Sequence, residues 1–130
     1  MKIINPPGWP QPRGYNNGIA ADGRVVFVAG QIGWNAQQVF ESSRLTDQID
    51  QALANVLEVL AAAGAGPEHV ARMNWYLTDV EEYQAGAADV GTIWRRHMGR
   101  HFPAMSVVEV ARLVEADAKV EIEATAVVPR

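Results

Sequence analysis

"RLTDQIDQALANVLEVLAAAGAGPEHVARMNWYLTDV", residues 44–80, holds a helix followed by a strand, and the change of period between them sets the architecture. Over 44–63 the apolar residues Ile49, Leu53, Val56, Leu57 and Leu60 fall at i, i+4, i+7, i+8 and i+11, one stripe along a 3.6-residue helix. Ser43 or Thr46 can cap its start, and Gly64 stands where a helix C-terminus favours a left-handed residue. "GAGPEH" turns the chain, and "VARMNWYLTDV" at 70–80 is rich in strand formers.

Downstream of this unit, "EEYQAGAADVGTIWRRHMG" at 81–99 predicts a second helix, weakened by Gly86 and Gly91. "FPAMSVVEVARL" at 102–113 and "AKVEIEATAVV" at 118–128 predict two more strands, with "VEADA" between them. Upstream, "NPPGWPQPRG" at 5–14 carries four prolines and two glycines and reads as an extended arm or loop. "YNNGIA" and "ADGRVVFVAGQI" read as two strands around Asp22-Gly23, a strong hairpin signal. The unbroken apolar run Val25 to Ala29 predicts a central strand covered on both faces. The order is β-β-α-β-α-β-β. Two helices cover only one face of such a sheet, which gives a two-layer α+β sandwich. If Met105, Val107 and Val127 lie on the other face, the sheet calls for a partner and the chain is expected to oligomerise.

At 130 residues, without repeat, linker or low-complexity tract, the chain has the size of one domain spanning 1–130. No apolar run approaches the ~18–20 residues of a membrane span, and "MKIINPPGWP" lacks the apolar stretch of a signal peptide. A cytoplasmic protein with no membrane partner is the expectation. The absence of cysteine excludes disulfides, thiol catalysis and cysteine metal sites. A net charge of −4 gives the molecule no overall attraction for phosphate backbones, which argues against nucleic acid as a partner. The one basic cluster, "RRHMGRH" at 95–101, fits the C-terminal end of a helix, where cations suit the macrodipole.

Few residues offer chemistry. Glu121 and Glu123 sit on one face of the last strand with Cα atoms about 7 Å apart. Shielded from water they raise each other's pKa, and one then serves as a proton donor or acceptor; in water they are a solvated strand face. Spacing alone favours the solvated face. His97 and His101 have i, i+4 spacing, but Gly99 lies between them and no "HExxH" surrounds them, so no metal site is expected. None of Ser42, Ser43 and Ser106 sits in a "GxSxG" elbow. "GAG" at 64–66 ends a helix instead of opening one, so it is no phosphate loop. Trp9, Trp34, Trp75 and Trp94 read as core or interface before ligand platforms.

Four stretches in order resemble the Rid family, the reactive intermediate deaminases, also called YjgF or endoribonuclease L-PSP-like proteins. "RGYNNGI" at 13–19 is similar to the family's Gly-Pro-Tyr-Ser segment, and "VVFVAGQIGWN" at 25–35 to its Ser-Gly-Gln-Ile strand. Residues 48–79 resemble its long helix and following strand, and 102–128 its Pro-Ala-Arg-Ser and Glu-Ile-Glu signatures. The resemblance implies a two-layer chorismate-mutase-like α+β fold, a homotrimer around a central sheet barrel, and ligand clefts between subunits. It implies hydrolysis of enamines and imines derived from amino acids, a deaminase reaction that needs no cofactor. The family's acid falls on Glu121, its aromatic pocket residue on Tyr15, its backbone contact on Gly30, and a pocket-lining position on Val107. Where the family's active branch carries an arginine for the substrate carboxylate, this chain has Met105, soft and without a donor. The family's pocket asparagine falls on Ala87 or Ala88, and the serine before Gly-Gln on Ala29. The pocket keeps its acid and loses the groups that hold an amino-acid-derived imine. Two functions fit: a hydrolase for an imine or enamine not held by the usual arginine, or a non-catalytic trimer that binds a small metabolite. Ribonuclease activity, an old label of the family, is disfavoured by the negative charge and the lack of a catalytic histidine pair.

Overall fold

A computed structural model describes all 130 residues, Met1–Arg130. The elements in chain order are β1 (Lys2–Ile4), β2 (Gly18–Ala20), β3 (Arg24–Ile32), α1 (Leu45–Ala62), β4 (Val70–Leu77), α2 (Val80–Ala85), α3 (Ala87–Met98), β5 (Ala104–Glu109) and β6 (Val120–Val128). Four strands form one sheet in the order β3-β6-β4-β5, and β1 with β2 makes a separate two-stranded ribbon. β6 runs antiparallel to both its neighbours, whereas β4 and β5 are parallel and joined by the α2–α3 crossover. This is the expected α+β class with helices on one face.

Alternation along the strands decides which side chains those helices cover. Val120, Ile122, Ala124 and Ala126 of β6 point inward with Met73, Trp75 and Leu77 of β4, and all are buried. The stripe predicted on α1 lies on them: Ile49, Leu53, Val56 and Leu60 are fully buried, with Ala52 between them. α3 adds Val90, Ile93, Trp94 and Met98 to the same core. At the end of α1, Gly64 takes φ +72°. Its N–H bonds to Ala61 O at 3.0 Å while Ala65 N–H reaches Leu60 O at 2.8 Å, a paired C-terminal cap of the kind the sequence signalled.

Several expectations need correction. Asp22-Gly23 does not close a hairpin, because β2 pairs with β1 (Lys2↔Ala20) and β3 pairs with β6 (Val25↔Val127). β3 is an edge strand, not a central one, and its outward residues Val25 and Phe27 are 49% and 79% exposed. Neither Ser43 nor Thr46 caps α1. The cap position is Arg44, and a carboxylate from α2 takes the orphan donor instead, with Leu45 N–H to Glu82 Oε2 at 2.9 Å. Finally, Met105 and Val107 do not lie on the open face. They pair with Met73 and Trp75 on β4 and pack half-buried against the core, so of the three residues only Val127 faces outward.

The helix read as one over 81–99 is two. Asp79 caps α2 by accepting from the N–H groups of Glu81 and Glu82 at 3.0 and 3.1 Å, and Gly86 ends α2 and starts α3. The basic run closes α3 as expected. Arg96 and His97 both reach Asp50 on α1, at 2.8 and 2.5 Å. Burial alone would raise the Asp50 carboxyl, but those two hydrogen bonds outweigh it and hold it below the usual carboxylate range. No helix is long and apolar enough to cross a membrane.

Candidate functional site

Two groups of the candidate residues come together, one where β3 meets β6 and the other at the β5 edge of the sheet. The first is Gly30 with Glu121. β3 carries a bulge between Val28 and Gln31, where Ala29 and Gly30 together stand opposite one residue of β6. The bulge presses the backbone of Gly30 against the Glu121 carboxylate: a Cβ at position 30 would lie 2.6 Å from Glu121 Oε2. Only glycine leaves room for the carboxylate there.

Glu121 and its neighbour Glu123 share the open face, yet their surroundings divide them. Glu123 Oε1 accepts from Tyr76 OH at 2.6 Å and from Asn74 Nδ2 at 3.1 Å. The Tyr76 bond, seconded by Asn74, holds the Glu123 carboxyl below its ordinary value, and the Glu123 carboxylate in turn pushes the Tyr76 phenol up. Glu121 lies across from Tyr76 and Ile32 in the ladder and makes no side-chain hydrogen bond or ion pair within the chain. One carboxylate is committed to the sheet and the other is free.

The second group gathers Tyr15, Met105 and Val107 at the β5 edge. Asn16 fastens the proline-rich arm there: its N–H bonds to Pro103 O at 3.0 Å, its Nδ2 donates to Phe102 O at 2.6 Å, and it bridges Ala104. Tyr15 therefore stands beside the start of β5, 40% exposed. Met105 lines a cavity of about 330 Å³ between the sheet and α3. Trp75, Tyr83, Trp94 and Phe102 form its walls. Trp94 and Phe102 are stacked 6.0 Å apart at 6°, and Trp75 meets Trp94 at 6.0 Å and Tyr83 at 6.3 Å. Burial pushes the Tyr83 phenol above its usual value, so it stays neutral. Nε1–H of Trp75 finds no acceptor in the chain.

Strand spacing separates the two groups. β4 lies between β6 and β5, so Glu121 is about 10 Å from β5, and Gly30 on the β3 edge is about 14 Å from it, at 4.7–4.9 Å per strand. Glu121 and Met105 also point to opposite faces of the sheet. Within one chain they do not meet.

The family model described as Endoribonuclease L-PSP matches residues 10–128. The chain belongs to this family, the Rid or YjgF proteins. A RutC family protein of Synechocystis is 39% identical over 132 residues, which is 99% of this chain and 98% of that one. A protein of Dermatophagoides farinae named 2-iminobutanoate/2-iminopropanoate deaminase is 30% identical, covering 98% of this chain and 96% of its own. Among solved structures, the Rid-family protein YyfB of Yersinia pestis, described as of unknown function, superposes with a TM-score of 0.86 at 32% identity over 98% of both chains. E. coli TdcF with bound serine superposes at 0.70 with 31% identity, again over 98% of both. The fold class and the family expected from the motifs are those found.

The aromatic cavity was not foreseen. Trp75 and Trp94 are core residues, as the sequence suggested, but one side of each also lines the cavity beside Met105. The residues come from four separate segments, so no local motif announces them. No group of three or more His, Asp or Glu side chains gathers at either edge or elsewhere.

Proposed function

We propose that this protein hydrolyses imines or enamines derived from amino acids, at a site that two copies of the chain complete. The observation that carries this reading is the free Glu121 carboxylate held against the bare backbone of Gly30, in a family with members named as 2-iminobutanoate/2-iminopropanoate deaminases. Because Gly30–Glu121 lies at the β3 side of the sheet and Tyr15–Met105 at the β5 edge, the β3 edge of one copy set beside the β5 edge of another assembles a cleft that no single chain has.

In that cleft Glu121 acts as the proton carrier. A proton taken up from solvent by its carboxylate passes to the enamine carbon, producing an iminium, and the carboxylate then takes one back from the water that attacks the C=N carbon. The carbinolamine collapses, the C–N bond breaks, and ammonia leaves with a carbonyl product; one water is consumed. Gly30 exposes backbone polar groups next to the reacting nitrogen, Tyr15 closes the cleft, and Met105 with Val107 supply apolar surface in place of a carboxylate fork. These residues call for no cofactor.

Met105 itself favours the second reading, a binding protein without turnover, because it has no donor to fix a substrate. Ammonia release separates the two. Imines generated in situ by an amino-acid oxidase, with and without a carboxylate, should be hydrolysed faster than in buffer. Glu121→Gln should lower that rate about 10²–10⁴-fold, and Glu123→Gln should leave most of it. Equal rates for parent and buffer would refute the hydrolase. Loss on Glu123→Gln alone would place the acid one pleat away.

A further inference from the structure

The cavity behind Met105 has an apolar floor, aromatic walls and a charged rim. Arg95, near the end of α3, and Arg100, just beyond it, both line it, and both are exposed. Neither has an acidic partner within ion-pairing distance: the ion pairs of the chain are His69–Glu68, Arg96–Asp50, His97–Asp50 and Lys119–Glu82. Arg95 makes one long contact, Nη2 to Thr92 Oγ1 at 3.4 Å. Arg96, beside Arg95 in the sequence, is instead committed to the Asp50 carboxylate on α1. Two guanidiniums left unpaired at the mouth of one cavity are anion donors without an anion.

The interior asks for a flat apolar group. Trp75, Trp94 and Phe102 give π faces and edges, Met105 gives a polarisable sulfur, and Ala87 and Gly91 keep the α3 side low. A volume of about 330 Å³ is at the lower end for small-molecule sites, which run from roughly 300 Å³ upward. It suits one aromatic ring and is far larger than an ethyl or methyl group needs. We propose that the substrate class is the 2-imino or 2-oxo acids with an aromatic side chain. The ring enters the cavity over Met105, and Arg95 and Arg100 hold the carboxylate at the rim. The inference deepens the reading above, from which it takes only that the Met105 cavity belongs to the site.

Equilibrium binding of stable ketones tests it without any need for turnover. Titration calorimetry of the whole protein should show phenylpyruvate binding at least about tenfold more tightly than 2-ketobutyrate, the ratio expected from one buried ring. Phenylacetone, the same ring and ketone without the carboxylate, should bind more weakly than phenylpyruvate. Arg95→Gln/Arg100→Gln alters two exposed side chains and should bring phenylpyruvate down to the level of phenylacetone, a loss of about tenfold or more, while leaving phenylacetone unchanged. Ala87→Phe, also at an exposed position, should weaken both ring ligands by narrowing the cavity. Equal affinity for phenylpyruvate and 2-ketobutyrate overturns the proposal, as does full phenylpyruvate affinity in the double variant. If these patterns hold and no imine releases ammonia, the hydrolase falls and the ligand class stands; if ammonia is released but the pattern fails, the reverse is true.

Discussion

Glu121 and Glu123 are indistinguishable in sequence, each a glutamate on the outward face of β6, and they separate only through what stands across the ladder. Asn74 and Tyr76 on β4 bracket Glu123, one pairing with it directly and the other diagonal to it, and both donate to its Oε1. That arrangement predicts a pH effect of known sign. The native Glu123 carboxyl lies below its ordinary value, held there first by the Tyr76 hydrogen bond. Its contribution to stability is complete above the unfolded value of about 4.3 and fades as pH falls through the lower native one. Denaturant unfolding between pH 6 and 3 should show the parent losing stability faster than Glu123→Gln, which keeps the amide acceptor and has no charge to titrate. Parallel curves for the two proteins would show that Glu123 is fully exchanged with water.

At the scale of elements, the parts legible in the sequence are those whose signal is local. α1 was readable because Ile49, Leu53, Val56 and Leu60 repeat the helical period, and its end because Gly64 is the one residue type at ease at φ +72°. The start of α1 was not, because its donor is satisfied by Glu82, 37 positions away on α2. The false hairpin at Asp22-Gly23 has the same origin: β1 competes for β2, and no local pattern in Lys2–Ile4 shows it. Of the candidate site, the motifs single out Glu121, Gly30 and Tyr15, whereas the aromatic cavity depends on long-range packing. Gln48 is the clearest residue that sequence reasoning passed over. Only 1% exposed, it donates to Ser42 O at 3.1 Å and Asp117 O at 2.9 Å and accepts from Lys119 N–H at 2.8 Å. It ties the segment before β6 to α1. Gln48→Leu keeps the volume and strands three backbone groups, which should cost on the order of 3 kcal/mol. Urea unfolding at pH 7 checks this, and a loss under about 1 kcal/mol would mean that water takes over the three bonds.

For the whole molecule, the open face of the sheet is the unresolved term. Phe27 is 79% exposed, Val25 49% and Val108 46%, all on the side the helices leave bare. Burying one phenylalanine contributes about 1.5–3 kcal/mol, and every copy in an assembly supplies its own, so a closed ring gains this several times over. The same face carries Arg72, Asn74, Tyr76 and Glu123, a polar band that must meet partners or water when covered. The proposed cleft requires the β3 edge of each copy beside the β5 edge of another, which a lone chain holds about 14 Å apart. We therefore expect a trimer: sedimentation equilibrium at micromolar concentration should return three times the 14.2 kDa chain mass. Phe27→Asp replaces apolar burial with an unpaired carboxylate in the interface, a change that costs more than the phenylalanine contributed. Its mass should fall to that of one chain while circular dichroism keeps the parent's secondary structure, since Phe27 is outside the core. Imine hydrolysis should fall with it, because Gly30 and Glu121 would no longer face a Met105 cavity. A parent that sediments as a monomer would sink the shared cleft along with the trimer. A Phe27→Asp variant that stays monomeric and still binds phenylpyruvate as tightly as the parent would show that the cavity works without its neighbour.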